Sequence, residues 1–396
     1  MTTRGRRLDR RVYLRAHPAL FALVSATRWA SSMRLGRTVL VHDPAAYVDG
    51  LLRVPLDRTA AATTGGIARA AAADTSGLVF DEEGTGHKGT RRDVADLMGA
   101  PAVARLAPVW RGVLTRRLAP LAAGGRIDVV DLSLELTGAT AAALLDLDAD
   151  PLVLARAARA AAAAAARDNL PGRRRTAGAR AAGRRRAAPA GPRPAAAAGD
   201  AAAAGDAAAA GDAAAAGDPA AAGDPAGALL QLTCSPRAAM IAVAAVNTMT
   251  AALPRAVVWC AADGLWSAAA DPAIRPTLVD ELLRVLAPAP LLPRVAAGAG
   301  TVGGRRVRAG DRLILVARHA ADAHRAGPDP DAPAPPHVAQ LVFGAGPHAC
   351  PGARLARAQL ADALAALALH RPVVTRMRVD RGSALPGWST VEVRAE

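Results

Sequence analysis

Residues 343 to 352 read Phe343-Gly-Ala-Gly-Pro-His-Ala-Cys350-Pro-Gly352 and lead into ARLARAQLADALAAL, a run with helical apolar spacing. Glycines at 344 and 346 permit a tight turn with backbone N–H groups directed inward. A cysteine just ahead of a helix N-terminus has its thiolate stabilised by the helix dipole and by those amides. This is a setting for an anionic sulfur ligand on a metal. Two other roles are open to Cys350. A zinc site with His348 and His337 needs about four ligands, and neither Cys234 nor Cys260 stands at a CxxC-type spacing from it. A buried structural cysteine is commoner in general, but such a residue does not require a Phe, two Gly and a His at fixed offsets.

Outward from this loop the chain reads as mainly helical. It has 396 residues, of which 52% are hydrophobic and only 3% aromatic, so the core must come from Leu, Val and Ala on helices. Helical patterns span Arg91 to Leu97, Val103 to Leu121, Asp131 to Leu147, Pro151 to Arg167, Arg237 to Ala262, Thr277 to Leu286 and about Gly352 to His370. Leu35 to Asp43 reads as one short strand. TVGGRRVRAGDRLILVA reads as strands joined by turns at Gly303-Gly304 and Ala309-Gly310, and Val373 to Glu396 as a small hairpin. The expected fold class is therefore mainly α with a small β lobe. The apolar stretch Ala238 to Ala262 carries Asn247, Thr248, Pro254 and Arg255, which favours a buried helix over a membrane span. A basic start followed by Ala19 to Ala26 is too short a pattern for a secretory reading, since Arg28 follows at once.

Residues 170–227 differ in kind. An Arg-rich first half precedes AAAAGD repeated at a six-residue period. Ala and Asp offer nothing large to bury, so this is expected to be an insertion in a single 1–396 domain, either disordered or an Ala-rich helix broken at each Gly. The net charge of +15 is concentrated partly there, in Arg173, Arg174, Arg175, Arg180, Arg184, Arg185, Arg186 and Arg193. No aromatic residue lies among them to stack bases, so a solvated basic loop is favoured and a nucleic-acid partner is not expected. Three scattered cysteines fit a reducing cytoplasm.

The Cys350 stretch resembles the haem-binding loop of the cytochromes P450, Phe-Gly-x-Gly-x-His-x-Cys-x-Gly, with every fixed position present. Two further matches stand in the family's order. Glu281-Leu-Leu-Arg284 is similar to the Glu-x-x-Arg of the K helix, where an i, i+3 ion pair forms. His87-Lys-Gly-Thr-Arg91 is similar to the His-x-x-x-Arg at the start of the C helix. The resemblance implies a P450 fold with haem b, Cys350 as the iron ligand, Phe343, Gly344 and Gly352 shaping the loop, and His87, Arg91, Arg294 and His348 holding the propionates. It places Ala244-Ala-Val-Asn-Thr-Met249 where the oxygen-binding helix runs. Ala244 and Ala245 would leave room for dioxygen, and Thr248 would help to protonate it. Asn247 stands in place of the family's acid. It implies either a water relay, substrate assistance or radical coupling, or else a cap on a helix bulge. The family's Pro-Glu-Arg-Phe-like segment is missing, and Arg325 is the candidate substitute for its arginine.

The activity implied is a haem-thiolate monooxygenase or oxidative-coupling enzyme of secondary metabolism. No flavin or nicotinamide fingerprint and no iron–sulfur cysteine set is evident, so electrons are expected from a ferredoxin and its reductase. Arg354 and Arg357 are candidates for the docking face. The expected protein is a cytoplasmic monomer without a membrane partner. Its substrate is expected to be a mid-sized apolar or aromatic natural-product intermediate, because the pocket positions are small and apolar. Two rivals remain at this point: a haem-binding or recruitment scaffold without oxygenase activity, and a basic nucleic-acid-binding protein.

Overall fold

The computed structural model describes residues 3–61, 63–71, 89, 94, 96–169 and 223–396. The repeat expected as an insertion lies outside the described residues up to position 222. Helix begins at Pro225, inside the last stretch of that segment, because the Asp224 carboxylate accepts the Gly227 N–H at 3.0 Å and caps it.

The expected helices that fall on described residues are present, with ends displaced by up to three residues, and the one expected at Arg91 to Leu97 lies largely outside the described residues. The helices of the described residues are α1 (Arg4–Ala16), α2 (Pro18–Ala26), α3 (Pro44–Leu52), α4 (Thr64–Ala71), α5 (Ala100–Ala122), α6 (Val129–Leu145), α7 (Pro151–Asn169) and α8 (Pro225–Thr233). Beyond these come α9 (Pro236–Asp263), α10 (Trp266–Ala270), α11 (Arg275–Leu286), α12 (Ala317–Ala320), α13 (Pro336–Ala339) and α14 (Ala353–Ala368). The apolar run at Ala19 to Ala26 is α2, with Phe21 and Val24 packed inward.

Helix α9 is the axis of the helical part. Ser235 caps its start and Gly264 ends it in the left-handed region. It is long and apolar enough to cross a membrane, yet 83% of its most apolar window is buried inside the protein, against α6, α7 and α1. Leu, Val and Ala fill the surrounding core, as the composition requires, with Trp110, Trp259 and Trp388 completing it. A buried ion network ties α1 to α9: Arg255 donates to Asp9 at 2.9 and 2.6 Å, and Arg318 reaches the other Asp9 oxygen at 3.0 Å. Each guanidinium also lies over the Tyr13 ring.

The β part has three pieces. β1 (Ser32–Leu35), β2 (Thr38–Val41), β4 (Leu292–Val295) and β7 (Arg312–Leu315) form a sheet of order β1-β2-β7-β4, parallel only at β2–β7. β3 (Arg126–Asp128), β8 (Val373–Asp380) and β9 (Gly387–Arg394) form a second sheet, and β5 (Gly300–Val302) pairs with β6 (Arg305–Val307) in a hairpin. The single strand expected at Leu35 to Asp43 is instead a hairpin that turns at Gly36-Arg37. Arg34, on its outer strand, is held by Asp311 at 2.9 Å, a partner too distant in sequence for local pattern to reveal.

Candidate functional site

The Cys350 loop is fixed by its own backbone. Two short 3-10 turns, Gln340–Phe343 and Gly346–His348, bring the chain round so that the Cys350 N–H donates to the Phe343 carbonyl at 2.7 Å. Gly344 has φ +79° and ψ −167°, a region open essentially to glycine alone. Gly346 has φ +69°. Cys350 is exposed, whereas Cys260 is fully buried in α9. Gly352 follows as the N-cap of α14, so the sulfur sits at the positive end of that helix. Phe343 packs against the helical core on one side and lies under the Arg357 guanidinium at 4.6 Å on the other.

Arg357 is thereby accounted for. It donates to Asp280 at 2.5 Å and to Gln340 at 3.1 Å, which makes it a brace for the loop. Arg354, one turn earlier, is exposed.

Behind the loop lies the Glu281–Arg284 pair. Arg284 donates to both Glu281 oxygens at 2.7 and 2.6 Å, and both residues are buried. The remaining Glu281 lone pairs accept the backbone N–H groups of Asp329 and Ala334 at 3.1 and 3.0 Å. Arg325 takes no part. It is exposed and pairs with Asp322 at 3.1 Å, so the candidate substitute for the missing arginine is corrected: two peptide N–H groups fill that place. Peptide donors carry no side-chain signature, which is why the sequence did not disclose them.

On α9 the four candidate residues divide by face. Ala244 is exposed and Ala245 and Thr248 are half-exposed, while the positions between and beyond them are buried. The Thr248 hydroxyl donates to the Ala244 carbonyl at 2.8 Å. Asn247 points elsewhere: its amide donates to Val243 O at 2.8 Å and to Ala158 O on α7 at 3.2 Å. The helix runs unbroken through this stretch, which leaves no bulge for Asn247 to cap, and its bonds make it an interhelix tie.

Arg294 stands on β4. One terminal nitrogen donates to Thr64 at 2.7 Å and to the Pro293 carbonyl at 2.9 Å, and its enclosed Nε has no partner among the described residues. Burial, followed by the nearby positive charge of Arg58, pushes the guanidinium down to about 10. A half-buried cation with an orphaned N–H, destabilised in this way, suits an anionic partner such as a propionate. The small open face of α9, the exposed Cys350 at a helix N-terminus and this unsatisfied Arg294 all fit a haem. His348 lies in the second 3-10 turn, four residues after Gly344. His87 and Arg91, the other expected propionate partners, lie outside the described residues.

No family model matches the chain. Nocardicin C N-oxygenase of Nocardia uniformis subsp. tsuyamanensis is 39% identical over 106 residues, covering 26% of this chain and 27% of its own. Mycinamicin VIII C21 methyl hydroxylase of Micromonospora griseorubida is 36% identical over 128 residues, covering 30% and 32%. The chain thus spans between a quarter and a third of the length of these curated relatives. Solved structures match over nearly everything. A mutant of P450 EryK in complex with erythromycin B gives a TM-score of 0.66 at 22% identity, covering 95% of this chain and 96% of that one. The cytochrome P450 enzyme CYP109B1 from Bacillus subtilis gives 0.65 at 16% identity, covering 96% and 100%. The chain thus has the fold of the cytochromes P450, and its cysteine loop resembles the haem-binding loop of that family.

Proposed function

We propose that the chain binds haem b through the Cys350 thiolate and oxidises a mid-sized apolar or aromatic natural-product intermediate, with electrons from a ferredoxin and its reductase. The observation that carries this reading is the exposed Cys350, held by a glycine-shaped loop at the N-terminus of α14. Relatives named as an N-oxygenase and a methyl hydroxylase support oxygen insertion as the reaction class. When bound, the haem supplies reductive activation of dioxygen, and thiolate electron density favours O–O cleavage.

This chain's own residues then have separate tasks. Arg294 and His348, with His87 and Arg91, hold the propionates. Ala244 and Ala245 keep the middle of α9 slender, which leaves space for small molecules beside it. The Thr248 hydroxyl, half-exposed and bonded among the described residues to carbonyls of its own helix, can turn its proton outward at the cost of one modest hydrogen bond. Asn247 holds no exchangeable acid proton and is bonded to α7, so protons reach Thr248 from solvent water. That same feature favours the second reading, a haem-binding scaffold that recruits partners without turnover.

The test is the carbon monoxide difference spectrum of the reduced holoprotein, beside Cys350→Ser. The expected result is a red-shifted thiolate Soret band in the parent and none in the variant. A fully haem-loaded parent without that band would overturn the proposal. A normal band with no oxidation of any spin-shifting compound would support the scaffold.

A further inference from the structure

Away from the cysteine loop, three turns face one another across the β lobe: Gly36-Arg37 between β1 and β2, Gly303-Gly304 between β5 and β6, and Ala309-Gly310 ahead of β7. Between them lies a groove of about 760 Å³ lined by Arg34, Arg37, Arg305, Arg306 and Arg308, with Asp311 the one carboxylate among its lining residues. The positive charge is far in excess. Asp311 does not offset it at the surface, since its side chain is only 5% exposed and is occupied by Arg34 at 2.9 Å and by the Arg308 N–H at 2.9 Å. These donors, the Arg308 N–H first, hold the Asp311 carboxyl below the usual range, so it stays anionic and committed to its present partners.

The arginines fall into two groups. Arg34, Arg37 and Arg305 each donate to backbone carbonyls across the groove: Arg34 to Arg306 O, Arg37 to Ala309 O at 3.0 Å and Arg305 to Ser32 O at 2.9 Å. Their guanidinium planes are therefore positioned before any ligand arrives. Arg306 and Arg308 are exposed and form no ion pair among the described residues. Fixed guanidinium forks beside unengaged ones match a ligand with several tetrahedral oxyanions, because each fork pairs two phosphoryl oxygens at once and little side-chain entropy remains to be lost.

We propose that this groove is a binding site for a phosphoryl polyanion, a diphosphate-type group carried either by a small soluble molecule or by the headgroup of an anionic phospholipid. The site owes nothing to the haem and is independent of the oxidation chemistry. It would tether a phosphorylated ligand, or the protein itself, at the β lobe.

The experiment titrates the holoprotein with inorganic pyrophosphate by calorimetry and, in parallel, sediments it with phosphatidylcholine vesicles with and without cardiolipin, whose headgroup carries two phosphates. Two variants with the same change in net charge accompany it: Arg306→Glu/Arg308→Glu in the groove, and Arg378→Glu/Arg381→Glu on exposed positions of the second sheet and its turn. The expected result is binding that the groove variant weakens by about tenfold or more, corresponding to about 1.4 kcal/mol, and that the distant variant changes less than twofold. Binding of pyrophosphate identifies a soluble ligand. Binding only to the cardiolipin vesicles, with the same variant dependence, identifies a lipid headgroup. Binding of neither probe, or equal weakening by the two variants, overturns the proposal, since the second outcome is general charge attraction alone.

Discussion

The cysteine loop and the middle of α9 are held in opposite ways. In the loop the backbone itself is fixed, by the Cys350 N–H on Phe343 O, by a glycine at φ +79° and by a ring wedged under a braced Arg357. In α9 the helix is fixed from behind, by Asn247 bonded to α7, while the open face carries only two alanines and a threonine. A ligand loop has one acceptable geometry. A helix face built from small residues can exchange side chains with little effect on the fold. The difference predicts that loop changes are felt first as lost structure or lost cofactor, and that changes on α9 are felt first as altered chemistry.

The largest effect should come from the support behind the loop. Glu281→Gln leaves Arg284 buried without its counter-charge, a class of change that costs about 3–5 kcal/mol. It also weakens acceptance from the Asp329 and Ala334 N–H groups, which tether the segment leading to the loop. Urea unfolding of the holoprotein should show a large drop in midpoint together with haem loss. A variant with parental stability would break the comparison, because the loop would then not depend on this pair.

Gly344→Ala should come next. The space around Gly344 is adequate, with the nearest atom to an added Cβ at 3.8 Å, so the cost is conformational. Leaving a region that only glycine adopts costs about 1–3 kcal/mol. The expected signature is faster transfer of haem to apomyoglobin than from the parent, with helical content unchanged. Equal transfer rates would show that the loop tolerates another backbone path.

How much of this was legible in sequence follows the same division. The loop was readable residue by residue, because its constraints are local: glycine where φ is positive, cysteine before a helix, and Phe343 at a fixed offset. The helices of the core were readable from apolar spacing. What lay hidden were contacts between distant segments. Asp311 holds Arg34 on the outer strand of the first hairpin, Thr64 takes one end of Arg294, and the peptide N–H groups of Asp329 and Ala334 replace an arginine. The Asn247 substitution was visible, yet its direction was not, since a helical position has two sides and the sequence names only the residue.

That direction sets the smallest and most discriminating prediction. If the missing acid were the only obstacle to ordinary proton delivery, Asn247→Asp would improve the coupling of electron uptake to product. The geometry predicts otherwise. The Asn247 amide donates to two carbonyls, and an aspartate carboxylate there would face Val243 O and Ala158 O with nothing to donate. The ionised form would lose both bonds and bury a charge, so the pKa rises toward neutrality; the protonated form recovers only one of the two bonds, a cost of about 1–3 kcal/mol. Thr248→Ala removes one hydrogen bond on a half-exposed face and should cost under about 1 kcal/mol. Measured on the haem-loaded protein, Asn247→Asp should lower the melting temperature and leave coupling as it was. Thr248→Ala should leave the melting temperature near that of the parent and divert electrons to peroxide. Should Asn247→Asp raise coupling at unchanged stability, then residue 247 communicates with the open face of α9 after all, and the two sides of the helix are not separate.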